Sequence, residues 1–150
     1  MTHQYHRRKI VQGFLTFTAL ALTPLKLLAR NKAAFAAEDA NTAMAAIFAD
    51  KPLAESEQIQ LKLPDIAEDG SVVPVSVSTT LENVTSISLI VDNNPNPLSA
   101  RFTFMPGAIP NISTRIKMGG SSVVRAAVET DSVVYVTQKT VKVTLGGCGG

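Results

Sequence analysis

From Ile59 onward apolar and polar positions alternate with a period of two, the spacing that sends successive side chains to opposite faces of a β-strand. Ile59, Leu61 and Leu63 alternate with Gln58, Gln60 and Lys62, and Val73, Val75 and Val77 with Pro74, Ser76 and Ser78. Between them Pro64-Asp65-Ile66-Ala67-Glu68-Asp69-Gly70 supplies turn chemistry. Pro74 has no N–H to donate, so its strand is expected at an edge or with a bulge. Ile87, Leu89 and Val91 predict a third strand, closed by the turn Asp92-Asn93-Asn94-Pro95-Asn96-Pro97. Phe102 and Phe104 then face inward, with Arg101 and Thr103 opposite. Ile112, Thr114, Ile116 and Met118 oppose Ser113, Arg115 and Lys117. Gly119-Gly120 turns the chain into Val124, Ala126 and Val128, flanked by Arg125 and Glu129. Alternating solvated faces account for Arg101, Arg115, Lys117 and Arg125 more simply than a binding site does.

The last strand is expected to run from Val133 to Leu145, and its pattern slips. Val134 and Val136 are even-numbered, Val141, Val143 and Leu145 odd, so a bulge near Gln138 to Thr140 is predicted to keep both halves facing the core. Ahead of the strands, Glu38 and Asp39 complement the N-terminus of a helix over Ala40–Asp50. Met44, Ile47 and Phe48 share one face, and Lys51-Pro52 ends it. This short stripe suits a helix covering one edge of its own domain better than one docking a partner. Seven strands with no helical pattern after Pro52 predict an all-β, immunoglobulin-like antiparallel β-sandwich over residues 37–145, a small barrel being the alternative.

The first 36 residues read as a removable leader. Arg7-Arg8-Lys9, the apolar run Ile10 to Leu25 and the small-x-small sequence Ala34-Phe35-Ala36 are the three parts of an export signal, with cleavage expected after Ala36. Arg7 and Arg8 resemble a twin-arginine signal, a route for folded cargo, although Gln12 stands where a lysine is usual; Sec export is the alternative. Periplasmic location follows. A partner subunit lacking its own signal would explain why this chain folds before export.

Charge changes with that reading. Of fourteen basic residues, six (Arg7, Arg8, Lys9, Lys26, Arg30 and Lys32) precede the first acidic residue, Glu38. Removing them leaves eight basic and twelve acidic side chains, a net charge of −4 that argues against nucleic acid as the partner. The only two histidines, His3 and His6, lie in the leader. A processed chain therefore has no Cys-His dyad, no Ser-His-Asp triad and no histidine-ligated metal site. Its single cysteine excludes an internal disulfide and a thiolate cluster. No catalytic residue, metal or cofactor is expected.

That cysteine stands in Gly146-Gly147-Cys148-Gly149-Gly150. Glycine adds no side-chain bulk and reaches most of φ/ψ space, so residues 146–150 read as a thin, flexible arm mounted directly on the last strand. Cys148 lies three positions beyond Leu145, a reach on the order of 10 Å when extended. Such a thiol is suited to entering another protein's pocket.

The terminus Val141-Lys142-Val143-Thr144-Leu145-Gly146-Gly147-Cys148-Gly149-Gly150 resembles that of the SoxY family, carrier subunits of the Sox thiosulfate-oxidation system. Pro64 to Gly70 running into Val73-Pro74-Val75, Asn94-Pro95, and Thr114-Arg115-Ile116 leading to Ser121-Ser122-Val123 agree with it. The resemblance implies a carrier and not an enzyme, with Cys148 holding sulfur intermediates covalently. It implies a SoxZ-like subunit as heterodimer partner. It further implies transient contacts with a c-type cytochrome, a sulfate-releasing hydrolase and, in some organisms, a sulfur dehydrogenase. The competing reading is an exported immunoglobulin-like interaction module whose Cys148 forms a permanent intermolecular disulfide.

Overall fold

The computed structural model describes residues 31–49 and 51–144. Two helices, α1 (Lys32–Ala36) and α2 (Ala40–Phe48), precede nine strands. These are β1 (Leu53–Ala54), β2 (Ile59–Lys62), β3 (Ile66–Ala67), β4 (Val73–Thr79), β5 (Ser86–Val91), β6 (Leu98–Thr103), β7 (Asn111–Ile116), β8 (Ser122–Glu129) and β9 (Val134–Val143). One sheet has the order β1-β9-β8-β5-β6, with β3 also on β9; the other is β2-β4-β7. All pairings are antiparallel except the two-residue strands β1 and β3, which run parallel to β9. The expected immunoglobulin-like β-sandwich is what forms.

Its core follows the period of two. Val73, Val75 and Val77 of β4 meet Ile87, Leu89 and Val91 of β5, Ile112 and Ile116 of β7, and Val124, Ala126 and Val128 of β8. A second apolar layer lies outside the larger sheet, where Ala34, Ala43, Met44 and Phe48 of the helices cover Ile90, Leu98, Ala127 and Val134. Both faces of β5 are thus buried. Ser88, on the helix side, has a hydroxyl with no protein partner.

The helix layer corrects several expectations. One helix was predicted where two form, and α1 comes from the stretch that includes Ala34-Phe35-Ala36. Its N-cap Asn31 accepts from Ala34 N–H at 3.1 Å and donates from Nδ2 to the carbonyl of Ala46 at 2.7 Å, which ties α1 to α2. Asp39 caps α2, accepting from Thr42 N–H at 2.9 Å; the side-chain bond to Thr42, then the backbone one, hold its carboxyl below the usual value. The helix stops at Phe48, two residues short of Asp50, with Ala49 at φ 49°.

Strand β9 has no bulge. Its register with β8 is continuous from Ser122–Val141 to Glu129–Val134. Val134 and Val136 face the helix layer while Val141 and Val143 face the sandwich core. The change of parity marks a strand covered on both faces in turn, the inner face at one end and the outer at the other. Pro74 is likewise not on an edge strand, since β4 lies between β2 and β7. However, β2 pairs only Ser76–Thr79 of β4, so Pro74 sits beyond its end and no ladder partner is lost on that side. Nor are Arg101 and Arg125 simply solvated. Arg125 makes a bidentate pair with Asp92, with Nε–Oδ1 2.8 Å and Nη2–Oδ2 2.7 Å, and that pairing, against a smaller opposing effect of burial, raises its pKa. Arg101 pairs with Glu129 at 2.7 Å.

Candidate functional site

The sequence points to the segment that follows β9, and the structure shows how its root is held. Strand β3 runs alongside the end of β9, with Ile66 opposite Lys142 and Ala67 opposite Val143. Lys142 N–H donates to the carbonyl of Asp65 at 2.9 Å and Thr144 N–H to that of Ala67 at 3.0 Å. On the other side, the Ser121 hydroxyl accepts from Val143 N–H at 2.9 Å. The chain is therefore bonded from both flanks up to Thr144.

Neighbouring turns brace these flanks. Lys139 Nζ donates to the carbonyl of Leu63 at 2.7 Å and pairs with the Asp65 carboxylate at 2.9 Å, fixing the approach to β3. Gly70 offers its carbonyl to Met118 N–H at 2.6 Å. A Cβ on Gly70 would strike the Met118 carbonyl oxygen and come within 2.9 Å of Val143 Cγ1, so only glycine lets the turn close against β9. Asn94 accepts from Gly119 N–H at 2.9 Å and donates to the Lys117 carbonyl at 2.7 Å. Asn93 donates from Nδ2 to the Ser121 carbonyl at 2.9 Å. Asp69 accepts from Ser71 N–H at 2.8 Å; the side-chain bond to Ser71, then the backbone one, lower its pKa. Three segments far apart in sequence, Pro64–Gly70, Asn93-Asn94 and Gly119–Ser121, thus converge on one strand end.

Cys148 with Gly146, Gly147, Gly149 and Gly150 lies outside the described residues, as do Arg7 and Arg8. Ser121, Gly70 and Asn94 were visible in the sequence only as turn residues. Their role depends on which strand the turns meet, and nothing local signals that.

Among the described residues no group of three or more His, Cys, Asp or Glu side chains could hold a metal ion, and no helix is long and apolar enough to cross a membrane. An open groove of about 910 Å³ lies between α2, β1 and β9, lined by Met44, Leu53, Glu55, Glu57, Arg125 and Gln138 among others. From Gln138 to Thr144 the strand covers roughly 20 Å, whereas Cys148 is at most about 14 Å of chain beyond Thr144. The groove therefore lies farther from Thr144 than four extended residues span.

A family model described as "Sulfur oxidation protein SoxY" matches residues 44–148. The chain is similar to the solved sulfur carrier protein SoxY from Chlorobium limicola f thiosulfatophilum, with 36% identity and a TM-score of 0.65 over 70% of this chain and 96% of that one. The human F-spondin reeler domain aligns over 64% of this chain and 98% of its own, at 12% identity and a TM-score of 0.41. No curated protein matches the chain.

Proposed function

Because this chain belongs to the SoxY family of sulfur oxidation proteins, we propose that it carries sulfur intermediates covalently on Cys148 in the periplasm. The observation that supports this most is the root itself: a few residues before a glycine-flanked cysteine, β9 is clamped by β3, Ser121 and Gly70. A strand end held from both flanks just before a glycine-flanked cysteine in the sequence suits a carrier.

In the loading step the Cys148 thiolate joins the outer sulfur of thiosulfate. One S–S bond forms, the thiol proton goes to water, and two electrons pass to a c-type cytochrome, giving Cys148–S–S–SO₃⁻. A hydrolase then adds water across the S–SO₃⁻ bond, releasing sulfate and leaving a persulfide on Cys148 for a sulfur dehydrogenase or a further round. The chain itself catalyses neither step. An unperturbed thiol has a pKa near 8.5, so only a few per cent is thiolate at neutral pH and the enzymes must supply activation. Ordering the five residues 146–150 in an active site costs roughly 5 to 10 kcal/mol of backbone entropy, which keeps such complexes weak and exchangeable. A SoxZ-like subunit completes the carrier, and Arg7-Arg8 direct export by the twin-arginine route.

The test is intact-protein mass spectrometry of periplasmic protein from cells given thiosulfate. Reductant-labile additions of sulfur and thiosulfonate mass on Cys148, absent from Cys148→Ser, are expected. A bare thiol, or only a stable disulfide to one partner, would instead favour the tethered interaction module.

A further inference from the structure

We infer that the enzymes acting on Cys148 seat their pocket rims on an apolar pair, Ile66 and Val72, beside the root of the arm; this rests on the carrier reading above. The short tether is what requires it. Backbone hydrogen bonds hold the chain through Thr144, and the sequence then runs through Leu145, Gly146 and Gly147 to Cys148. Four residues extend at most about 14 Å. An active site that encloses the cysteine and its sulfur adduct takes up most of that length in depth, which brings the rim of any such pocket to within a few ångströms of Thr144.

What the rim meets there is defined by the fold. Ile66 lies opposite Lys142 and is 57% exposed, and Val72, in the turn whose Gly70 packs on Val143, is 50% exposed. The charges beside them, Glu68, Asp69 and Lys142, are of both signs. An enzyme rim of a single charge would therefore be half repelled, and the handle common to chemically different enzymes is apolar. Of the other strongly exposed apolar side chains, Leu53 lies opposite Val134 at the far end of β9 from Val143, and Met105 and Ile109 belong to the loop between β6 and β7. They lie at the opposite end, because β7 starts at Asn111 opposite Ser78 and finishes at Ile116 opposite Val73. The arm does not bring an enzyme to them.

The double variant Ile66→Thr/Val72→Thr, which replaces the ethyl branch of Ile66 and one methyl of Val72 by hydroxyls, tests this, purified with whatever subunit accompanies the native carrier. Two substrates are used: the free thiol with thiosulfate and the c-type cytochrome, and carrier charged by tetrathionate for the sulfate-releasing hydrolase. In the charging reaction the Cys148 thiolate displaces thiosulfate from tetrathionate, giving Cys148–S–S–SO₃⁻; tetrathionate is itself the oxidant, its central S–S bond breaking as the bond to Cys148 forms. KM for the carrier is expected to rise about tenfold with both enzymes, as follows when the three carbons replaced by hydroxyls are partly withdrawn from water at the interface, with kcat little changed. Alkylation of Cys148 by iodoacetamide should proceed at the native rate. Inserting Gly-Gly between Gly146 and Gly147 adds roughly 7 Å and should shrink the difference between native and double-variant carriers. An unchanged KM, a change confined to one enzyme, or a difference that persists on the longer arm would overturn the inference. Failure of the native carrier to be turned over by either enzyme would overturn the carrier reading instead.

Discussion

Gly70 shows how much of the packing at the end of β9 rests on a single missing methyl group. It marks a turn, yet the reason for glycine lies far along the chain, first at the Met118 carbonyl and then at Val143. For Gly70→Ala either the Met118 carbonyl or Val143 must move, and both belong to the root: one takes part in the turn that holds Gly70, the other is the last residue of β9. The substitution is expected to lower stability by about 1 to 3 kcal/mol, the usual cost of overfilling a packed site, as read by urea denaturation. It should also speed amide hydrogen exchange at Thr144, whose bond to Ala67 depends on β9 keeping its place beside β3. Loss of stability with unchanged exchange at Thr144 would mean that strain is absorbed on the Met118 side alone.

At the scale of elements, one carboxylate gathers polar groups beside the helix layer. Glu129, at the end of β8 and 10% exposed at its side chain, receives Lys51 Nζ at 2.8 Å, Arg101 Nη2 at 2.7 Å and the Ser86 hydroxyl at 2.7 Å. Arg101 also lies over the Phe48 ring of α2, 5.6 Å from its centroid. Burial pushes the Glu129 carboxyl up. The hydrogen bonds from Lys51 and Ser86 and the charges of Arg101 and Lys51 outweigh it, leaving the group below its ordinary value of 4.5. A depressed folded-state pKa contributes stability that is complete above the unfolded value and disappears as pH falls through the folded one. The native protein should therefore lose stability on acidification below about pH 4.5. Glu129→Gln should lose that part of the slope and be less stable at neutral pH by about 2 kcal/mol, less than for a fully buried pair because Lys51 and Arg101 remain partly solvated; thermal denaturation across pH 3–7 measures both. The sequence showed Arg101, Arg125 and Glu129 only as the polar half of an alternation. It could not show that a helix lies over that half, and for the same reason the parity change in β9 resembled a bulge.

For the whole molecule, the strand alternation made the sandwich legible because a period of two fixes which residues meet across the core, and Val73, Val75, Val77, Ile87, Leu89, Val124, Ala126 and Val128 all meet there as expected. Illegible were the contacts between turns, such as Asn94 with Gly119 and Ser121 with Val143, since turn composition carries no address. If Cys148 carries sulfur as proposed, stability and function are separated along the chain. Among the described residues the last backbone bond to β9 is made by Thr144 N–H, and every residue of the two apolar clusters precedes it. Truncation after Leu145 removes Cys148 and leaves all of those residues in place. Its midpoint of thermal unfolding is expected to stay where the native one is, within the roughly 0.5 kcal/mol typical of surface changes, while covalent loading with thiosulfate falls to zero. Ser121→Ala should do the reverse, losing about 1 kcal/mol with its hydrogen bond to Val143 N–H yet still accepting sulfur on Cys148. If truncation instead destabilises the domain, residues 146–150 are part of the fold rather than an arm, and a short tether no longer brings an enzyme's rim to Ile66 and Val72.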